Sequence, residues 1–369
     1  MLYYLGAHLR DAVEALSYLR LLESISFRAI GGAITSLLFT IFFGGRFILH
    51  FYRKGYRDAS RSYAHFPVVD ARIPKTYGGG LMIAAVLVSI ALWSQVLNPY
   101  VLVTAAAFLW FAALGYLDDY LKVRHGTSDR GLSEPAKLVL QFLFAVGFAL
   151  VFTIDGLSPL PEGLSTQLYV PFYKYPVIDL AWGYVPFVIF TVIAIANSVN
   201  IADGIDGLAV VPVAFAVAVY GVFAYVSSHA RISSFLIFPF TPGVGEVAII
   251  CSIVFGACLG FLWFNSYPAN VIMGDTGSMA LGGLLGTVVV LVKQEVLFLI
   301  VGGVFVAEAL SVVIQEKVGI KWLGRRFFQS APLHHHYQSR GLADTKIVVR
   351  VWIVAGILAL CGLATLKVR

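Results

Sequence analysis

Charge is scarce in this chain. Acidic and basic side chains make up 12% of its 369 residues, about half the usual share in soluble globular proteins, which excludes an ordinary water-soluble domain. Cysteine is scarcer still. Cys251, Cys258 and Cys361 all fall inside apolar runs, so neither a disulfide framework nor a thiolate zinc motif is indicated. Low-complexity linkers and convincing internal repeats are also missing, and nothing divides the chain into separate domains.

What is present is apolar: 59% of the residues are hydrophobic. A bilayer core needs roughly 20 such residues per helix. Windows of that size fall near 26–48, 78–94, 98–117, 136–154, 182–199, 207–227, 247–264, 279–293, 295–316 and 347–366, the eighth and ninth split only by the "KQE" of Lys293 to Glu295. The expected fold is all-α: a polytopic integral membrane protein of about ten transmembrane helices, forming one membrane-embedded unit over 1–369. Residues 1–25 place apolar side chains at helical spacing between Arg10, Asp11, Glu14 and Arg20, which suits an interfacial helix rather than a cleaved leader.

Basic residues set the expected orientation. The loops after the first, third and ninth spans, with their edges, hold 18 of the 26 Lys and Arg residues. Cytoplasmic loops carry the positive excess, so these loops face the cytoplasm and both termini lie on the other side. Every polar cluster maps to that same cytoplasmic face. Asp118 and Asp119 stand after span 3, where they are expected to close the helix. Asn197, Asn200, Asp203 and Asp206 end span 5, Asn265 and Asp275 join spans 7 and 8, and "APLHHHY" lies after span 9. The span centres are almost wholly apolar. A solute pathway would need polar groups at mid-membrane, so the pattern favours a reaction at the surface over transport.

Each cluster has a plain structural reading. An Asp-Asp pair is a solvated helix stop, Asp203–Gly204 and Asp206–Gly207 are turn chemistry, and Asp275 ahead of Thr276 caps a helix. Together on one face, with Asn197 and Asn200 three apart on one side of a helix, they point further. Converging carboxylates share a proton, pair with bases or hold a divalent cation. Hard oxygen donors suit Mg2+ shared with substrate phosphates, and Lys122, Arg124, Arg130 and Lys137 would offset phosphate charge, the plain reading of these bases being positive-inside bias, which accounts for most of the 18. Adjacent histidines point in different directions, so His334, His335 and His336 do not read as ligands of one ion. Phosphate or sugar donors, or a solvated polar loop, are the readings left open.

"GYLDDYLKV", "GLSEPAKLVLQ", "NSVNIADGIDGLA", "GFLWFNSYPANVIMGDTGSMALGG", "GGVFVAEALSVVIQ" and "APLHHHYQSRG" resemble, in order, the signatures of the polyprenyl-phosphate N-acetylhexosamine-1-phosphate transferases. The histidine motif and the closing "GLATLKVR" are similar to the muramoyl branch of that family. The resemblance runs from about Phe27 to Arg369. It implies a ten-helix enzyme of the bacterial inner membrane, commonly a homodimer, with periplasmic termini and no nucleic-acid partner. Its reaction moves phospho-MurNAc-pentapeptide from UDP-MurNAc-pentapeptide to undecaprenyl phosphate, giving lipid I and UMP with Mg2+. A sibling enzyme using UDP-GlcNAc is the nearer alternative and a non-enzymatic transporter the remoter one.

The resemblance also assigns residues. Asp275 matches the magnesium-binding Asp, Asp118 and Asp119 the catalytic pair, and Lys137 the lysine of the "GLS…K" motif. Asn197, Asn200, Asp203 and Asp206 match the acidic loop around nucleotide and metal, Asn265 a position near the uridine, and His334, His335 and His336 the loop that meets the donor. Where the family has a lysine ahead of "TPTMGG", this chain reads "ARIPKTYGGG", and either Arg72 or Lys75 fits, with Lys75 taken as the substrate-binding residue.

Overall fold

The computed structural model describes residues 1–12, 14–56, 75–126, 130–154 and 156–367. Eight helical stretches among them are long and apolar enough to cross a membrane: α2 (Ile25–Arg53), α4 (Pro99–His125), α5 (Glu134–Thr153), α6 (Tyr184–Ala202 with its lead-in turn), α7 (Val210–Ser228), α9 (Gly245–Asn265), α10 (Gly274–Leu291) and α14 (Asp344–Ala364). The other helices are shorter: α1 (Leu2–Ala12), α3 (Gly79–Trp93), α8 (Ala230–Leu236), α11 (Phe298–Val301), α12 (Gly303–Val313) and α13 (Leu333–Ser339). Among the described residues, strands are confined to two-residue pieces, β1 (Thr76–Tyr77) with β4 (Val271–Ile272) in parallel, and β2 (Gln167–Leu168) with β3 (Ile178–Asp179) antiparallel.

This differs from ten uninterrupted spans in two places. The second expected span is the 15-residue α3. The ninth is broken at Gly302, where the ring of Phe298 folds into the space a side chain would need: a Cβ there would lie 2.3 Å from the ring. A glycine pair is a common kink site, and beyond α12 the chain widens into a π-helical stretch over Ile314–Trp322. The first 25 residues also form two pieces, α1 and a 3-10 segment over Glu14–Glu23.

α10 is the hub. It packs against α4 and α6, and every residue from Thr276 to Leu291 is buried. Its small residues allow this. A Cβ on Gly282 would lie 2.8 Å from the Ala196 backbone of α6, and one on Gly283 would enter the Phe111 ring of α4 at 2.3 Å. The "KQE" turn that follows is buried as well. Lys293 Nζ donates to the Ser165 carbonyl at 2.9 Å and sits 3.6 Å from Glu295 and 3.8 Å above the Tyr184 ring, while the Tyr184 hydroxyl donates to Glu295. Buried charges survive when paired in this way. At the other end of α10, its first turn meets the last turns of α4 and α6 and the first turn of α5. That end holds the acidic cluster.

Candidate active site

α4 does not stop at Asp118–Asp119. It begins on Asn98, whose side chain accepts from the Tyr100 N–H, and runs on to His125, where Gly126 takes the left-handed conformation that closes the helix. Both aspartates are therefore helical, and adjacent helical residues point about 100° apart. Their environments differ accordingly. Asp118 faces two ammonium groups, Lys122 Nζ at 2.6 Å and Lys137 Nζ at 2.9 Å, and accepts from the Leu132 N–H at 2.6 Å. Asp119 caps α10 from outside: it accepts from the Asp275 N–H at 3.1 Å, the Thr276 N–H at 2.8 Å and the Thr276 hydroxyl at 2.5 Å. The first N–H groups of a helix lack partners within it and carry positive partial charge, so an anion is favoured at that place. The cap of α10 is thus Asp119 of another helix, and Asp275 is left free to face the site.

Asp275 accepts from Lys122 at 3.0 Å and Lys137 at 2.9 Å on one oxygen and from Asn200 at 3.1 Å on the other. Asn200 also reaches the Ser278 hydroxyl at 2.9 Å. One carboxylate oxygen from each of Asp118, Asp119 and Asp275 lies within 4.8 Å of the other two, the one such group of three or more acidic, His or Cys ligands among the described residues. Three carboxylates against two ammonium groups leave a formal charge of −1, mostly shielded from water. The donor set suits a hard divalent cation: oxygen only, negative overall, and with Lys122 and Lys137 about one-fifth exposed and so able to turn toward an anion. With such a cation the site becomes positive and complementary to phosphate.

The closeness of α4 to α10 depends on Gly115. A Cβ there would sit 2.1 Å from the Asp275 carbonyl oxygen. Gly115→Ala is expected to part the two helices, to cost about 1–3 kcal/mol through overpacking, and to lower both the thermal midpoint in detergent and the turnover. An unchanged midpoint would show that the helices yield without strain.

The remaining candidates divide. Lys75 Nζ bridges both oxygens of Asp206 at 2.6 and 2.5 Å, and Asp206 also accepts from the Ala269 N–H. Arg72, like Arg57 and Arg61, lies outside the described residues. Asp203 stands at the C-terminus of α6. Asn265 is 3% exposed and committed to the backbone, accepting from the Gly207 N–H at 3.0 Å and donating to the Val271 carbonyl at 2.8 Å. It braces the Asp-Gly loop against β4. Asn197 and Asn200 turn to different neighbours, since Asn197 pairs with Gln141 of α5 at 2.6 Å and does not join the aspartates.

The three histidines separate as well. His334 is buried, its Nδ1 3.1 Å from Glu308 and its Nε2 without a partner, aimed at Gly204 of the acidic loop. His335 pairs with Gln338. His336 Nδ1 accepts the Gln329 N–H at 3.1 Å, which requires that nitrogen to be unprotonated, and burial followed by the charge of Arg340 holds its pKa below the ordinary value in agreement. The sequence singles out neither Glu308 nor Gln141, and it offers Thr276 and Ser278 only as neighbours of a capping Asp275, not as partners of Asp119 and Asn200. It marks Lys122 only as one of several bases, although its i, i+4 spacing from Asp118 is a legible sign of pairing.

The chain matches known proteins over these same residues. The profile of glycosyl transferase family 4 matches residues 100–293, which include all three aspartates. A phospho-N-acetylmuramoyl-pentapeptide-transferase of Nitratidesulfovibrio vulgaris (strain DP4) is 44% identical over 345 residues, covering 94% of this chain and 94% of that protein.

Proposed function

Because the chain belongs to the phospho-N-acetylmuramoyl-pentapeptide-transferase family, we propose that it moves phospho-MurNAc-pentapeptide from UDP-MurNAc-pentapeptide to undecaprenyl phosphate, releasing UMP and leaving lipid I in the bilayer. The observation that carries this reading is the Asp118–Asp119–Asp275 cluster bridged by Lys122 and Lys137.

In the reaction, an oxygen of the lipid phosphate forms a bond to the sugar-linked phosphorus of the donor, and the bond from that phosphorus to the oxygen of the UMP phosphate breaks. One phosphoanhydride replaces another, so little driving force is required, and catalysis rests on alignment and charge neutralisation. Mg2+, held by Asp275 with Asp118 and Asp119 beside it, would neutralise charge on the donor pyrophosphate. Lys122 and Lys137, which bridge Asp118 and Asp275, are the cations placed to face the transferring phosphoryl group. Asp118, the aspartate with no helix to cap, either takes the proton of the lipid phosphate for direct attack, or attacks phosphorus itself, expelling UMP and forming an acyl phosphate from which the lipid phosphate oxygen then displaces the carboxylate. Asp119 positions Asp275 by holding the start of α10. Lys75 and Asp206, with Asn200, Asp203 and His334, line the approach of the nucleotide and sugar, and Asn197, Asn265, His335 and His336 support that wall. A radiolabelled UDP-MurNAc-pentapeptide assay in detergent tests the assignment: label should pass to a lipid-extractable product with stoichiometric UMP. Transfer from UDP-GlcNAc instead would assign the chain to the sibling activity.

The enzyme is a bacterial inner-membrane protein, and we take it to act as a homodimer with both termini periplasmic and the acidic cluster cytoplasmic. The support is that Lys122 and Lys137 contact the cluster and that α13 and the first turns of α14, between and within which Arg340 and Lys346 lie, meet the Asp-Gly loop through His334 and Trp352, the basic end that positive-inside bias assigns to the cytoplasm. In a Cys361→Ala background, a cysteine at the exposed Ser339 should resist an impermeant thiol reagent in intact cells and react after permeabilisation. Labelling in intact cells would invert the topology. The companion position Ser128 lies outside the described residues.

A further inference from the structure

A groove of about 630 Å3 lies between α12, α13 and α14. It belongs to none of the elements that carry the aspartates. Ala307 of α12 and Val351, Val354 and Leu358 of α14 line it, and its two charged lining residues are Glu308 and Arg350. They are not equivalent. Glu308 is buried and turned to His334. Arg350 is exposed, in the half of the groove toward the start of α14, one turn beyond the lining residue Ile347, and has no ion pair or hydrogen bond among the described residues. Lys346 is exposed one turn earlier. From Arg350 the α14 wall runs about 12 Å to Leu358, at 1.5 Å per residue, where Gly303 closes the groove: a Cβ there would lie 2.9 Å from the Leu358 side chain. Ile353, Val354, Ile357 and Leu360 of α14 are all exposed, so the face on which the groove opens is one a bilayer covers.

An apolar trough with a free guanidinium toward its cytoplasmic end and hydrocarbon along its side fits an amphiphile with an anionic head. We propose that the groove is a binding site for one anionic glycerophospholipid, an acyl chain lying against Ala307, Val354 and Leu358 and the phosphate on Arg350. The volume falls within the ~300–1,000 Å3 of ordinary ligand pockets, room for an acyl chain but not for an undecaprenyl chain, which is several times longer. The acceptor phosphate must moreover reach Lys122 and Lys137, which stand on α4 and α5 and do not line this groove. A zwitterionic head would present an ammonium group to Arg350 beside its phosphate and gain less.

The site itself does not depend on the phosphotransfer reading, on which only the argument from the acceptor phosphate rests, and its test reads binding alone. The full chain in detergent would be titrated with phosphatidylglycerol, phosphatidylcholine and undecaprenyl phosphate, and bound lipid counted by native mass spectrometry. The expected result is one phosphatidylglycerol per chain, with phosphatidylcholine weaker. Arg350→Gln should lose about tenfold in affinity, the scale of one charge-assisted contact, and Arg350→Lys should retain most of it. Ala307→Trp, which fills the trough, should remove the lipid. Arg350 is exposed and its replacement leaves the core intact, so that variant decides the matter if Ala307→Trp fails to fold. Equal binding of phosphatidylcholine, displacement of phosphatidylglycerol by undecaprenyl phosphate, unchanged affinity in Arg350→Gln, or a groove occluded by a second copy of the chain would each overturn the assignment.

Discussion

Asp275→Asn is expected to lower kcat by about a hundred- to a thousandfold, the range seen when one preorganised electrostatic group is removed from an active site, while the protein still folds. Among the described residues, Asp275 is the one side chain that meets Lys122, Lys137 and Asn200 together. An amide keeps its shape but is a poor ligand for a hard divalent cation. It also presents an N–H where the two ammonium groups now find an anion. The helix should survive, because the cap of α10 is Asp119 rather than Asp275. Steady-state rates across a Mg2+ titration, with a thermal midpoint alongside, check this. Activity within about tenfold of wild type at saturating Mg2+ would remove Asp275 from the chemistry, given that a single lost ligand ordinarily costs more.

Asp118→Asn and Asp119→Asn should fail in different ways. Asp118 touches two lysines and the Leu132 N–H, and its loss should depress kcat without a matching rise in KM for the donor, the sign of an interaction made in the transition state. Its thermal midpoint should fall less than that of Asp119→Asn, because Lys122 and Lys137 keep Asp275 as a partner and an amide oxygen can still accept from the Leu132 N–H. Asp119 receives two backbone N–H groups and a hydroxyl at the start of α10. An amide cannot accept all three, so one buried donor loses its partner at a cost of about 1–3 kcal/mol. Asp119→Asn should therefore lower the midpoint and the rate together. Asp119→Glu, which keeps the charge but overreaches the cap, should show the same pairing of effects. Near-normal kcat in Asp118→Asn and Asp119→Asn, and in the double variant, would leave the pair a structural one, Asp118 neutralising two lysines and Asp119 capping α10.

Residues adjacent in sequence to a strong signal were legible, and those recruited from elsewhere were not. Apolar runs announced α2, α4 to α7, α9, α10 and α14 because a span must be continuous. The break at Gly302 was hidden, since one glycine pair within an apolar run leaves hydropathy unchanged. The three aspartates were visible as a set because each interrupts or ends such a run. Their division of labour was not, because a helix continuing from Asp118 to His125 places the two carboxylates on different neighbours, and only the meeting of α4 with α10 shows which one caps. Asn265 carries a polar side chain in a motif beside Asp275, yet its partners are backbone groups of Gly207 and Val271, and sequence gives no sign of whether an amide faces a ligand or a main chain. Glu308 sat in plain view in "GGVFVAEALSVVIQ" as the acid within an apolar run, and its partner His334 is 26 residues away.

The burial of α10 bears on how the protein is made. It is the least apolar of the eight long helices and the most enclosed, so on leaving the ribosome it has little reason to rest in lipid by itself. Its lodging is a slot between α4 and α6, both synthesised before it. The order of the chain thus lets earlier helices receive a later one, and insertion of α10 becomes an act of assembly rather than of partition. Substitutions that close the slot, such as bulk at Gly282 or Gly283, should then show up as chains degraded during biogenesis, with little mature protein to assay.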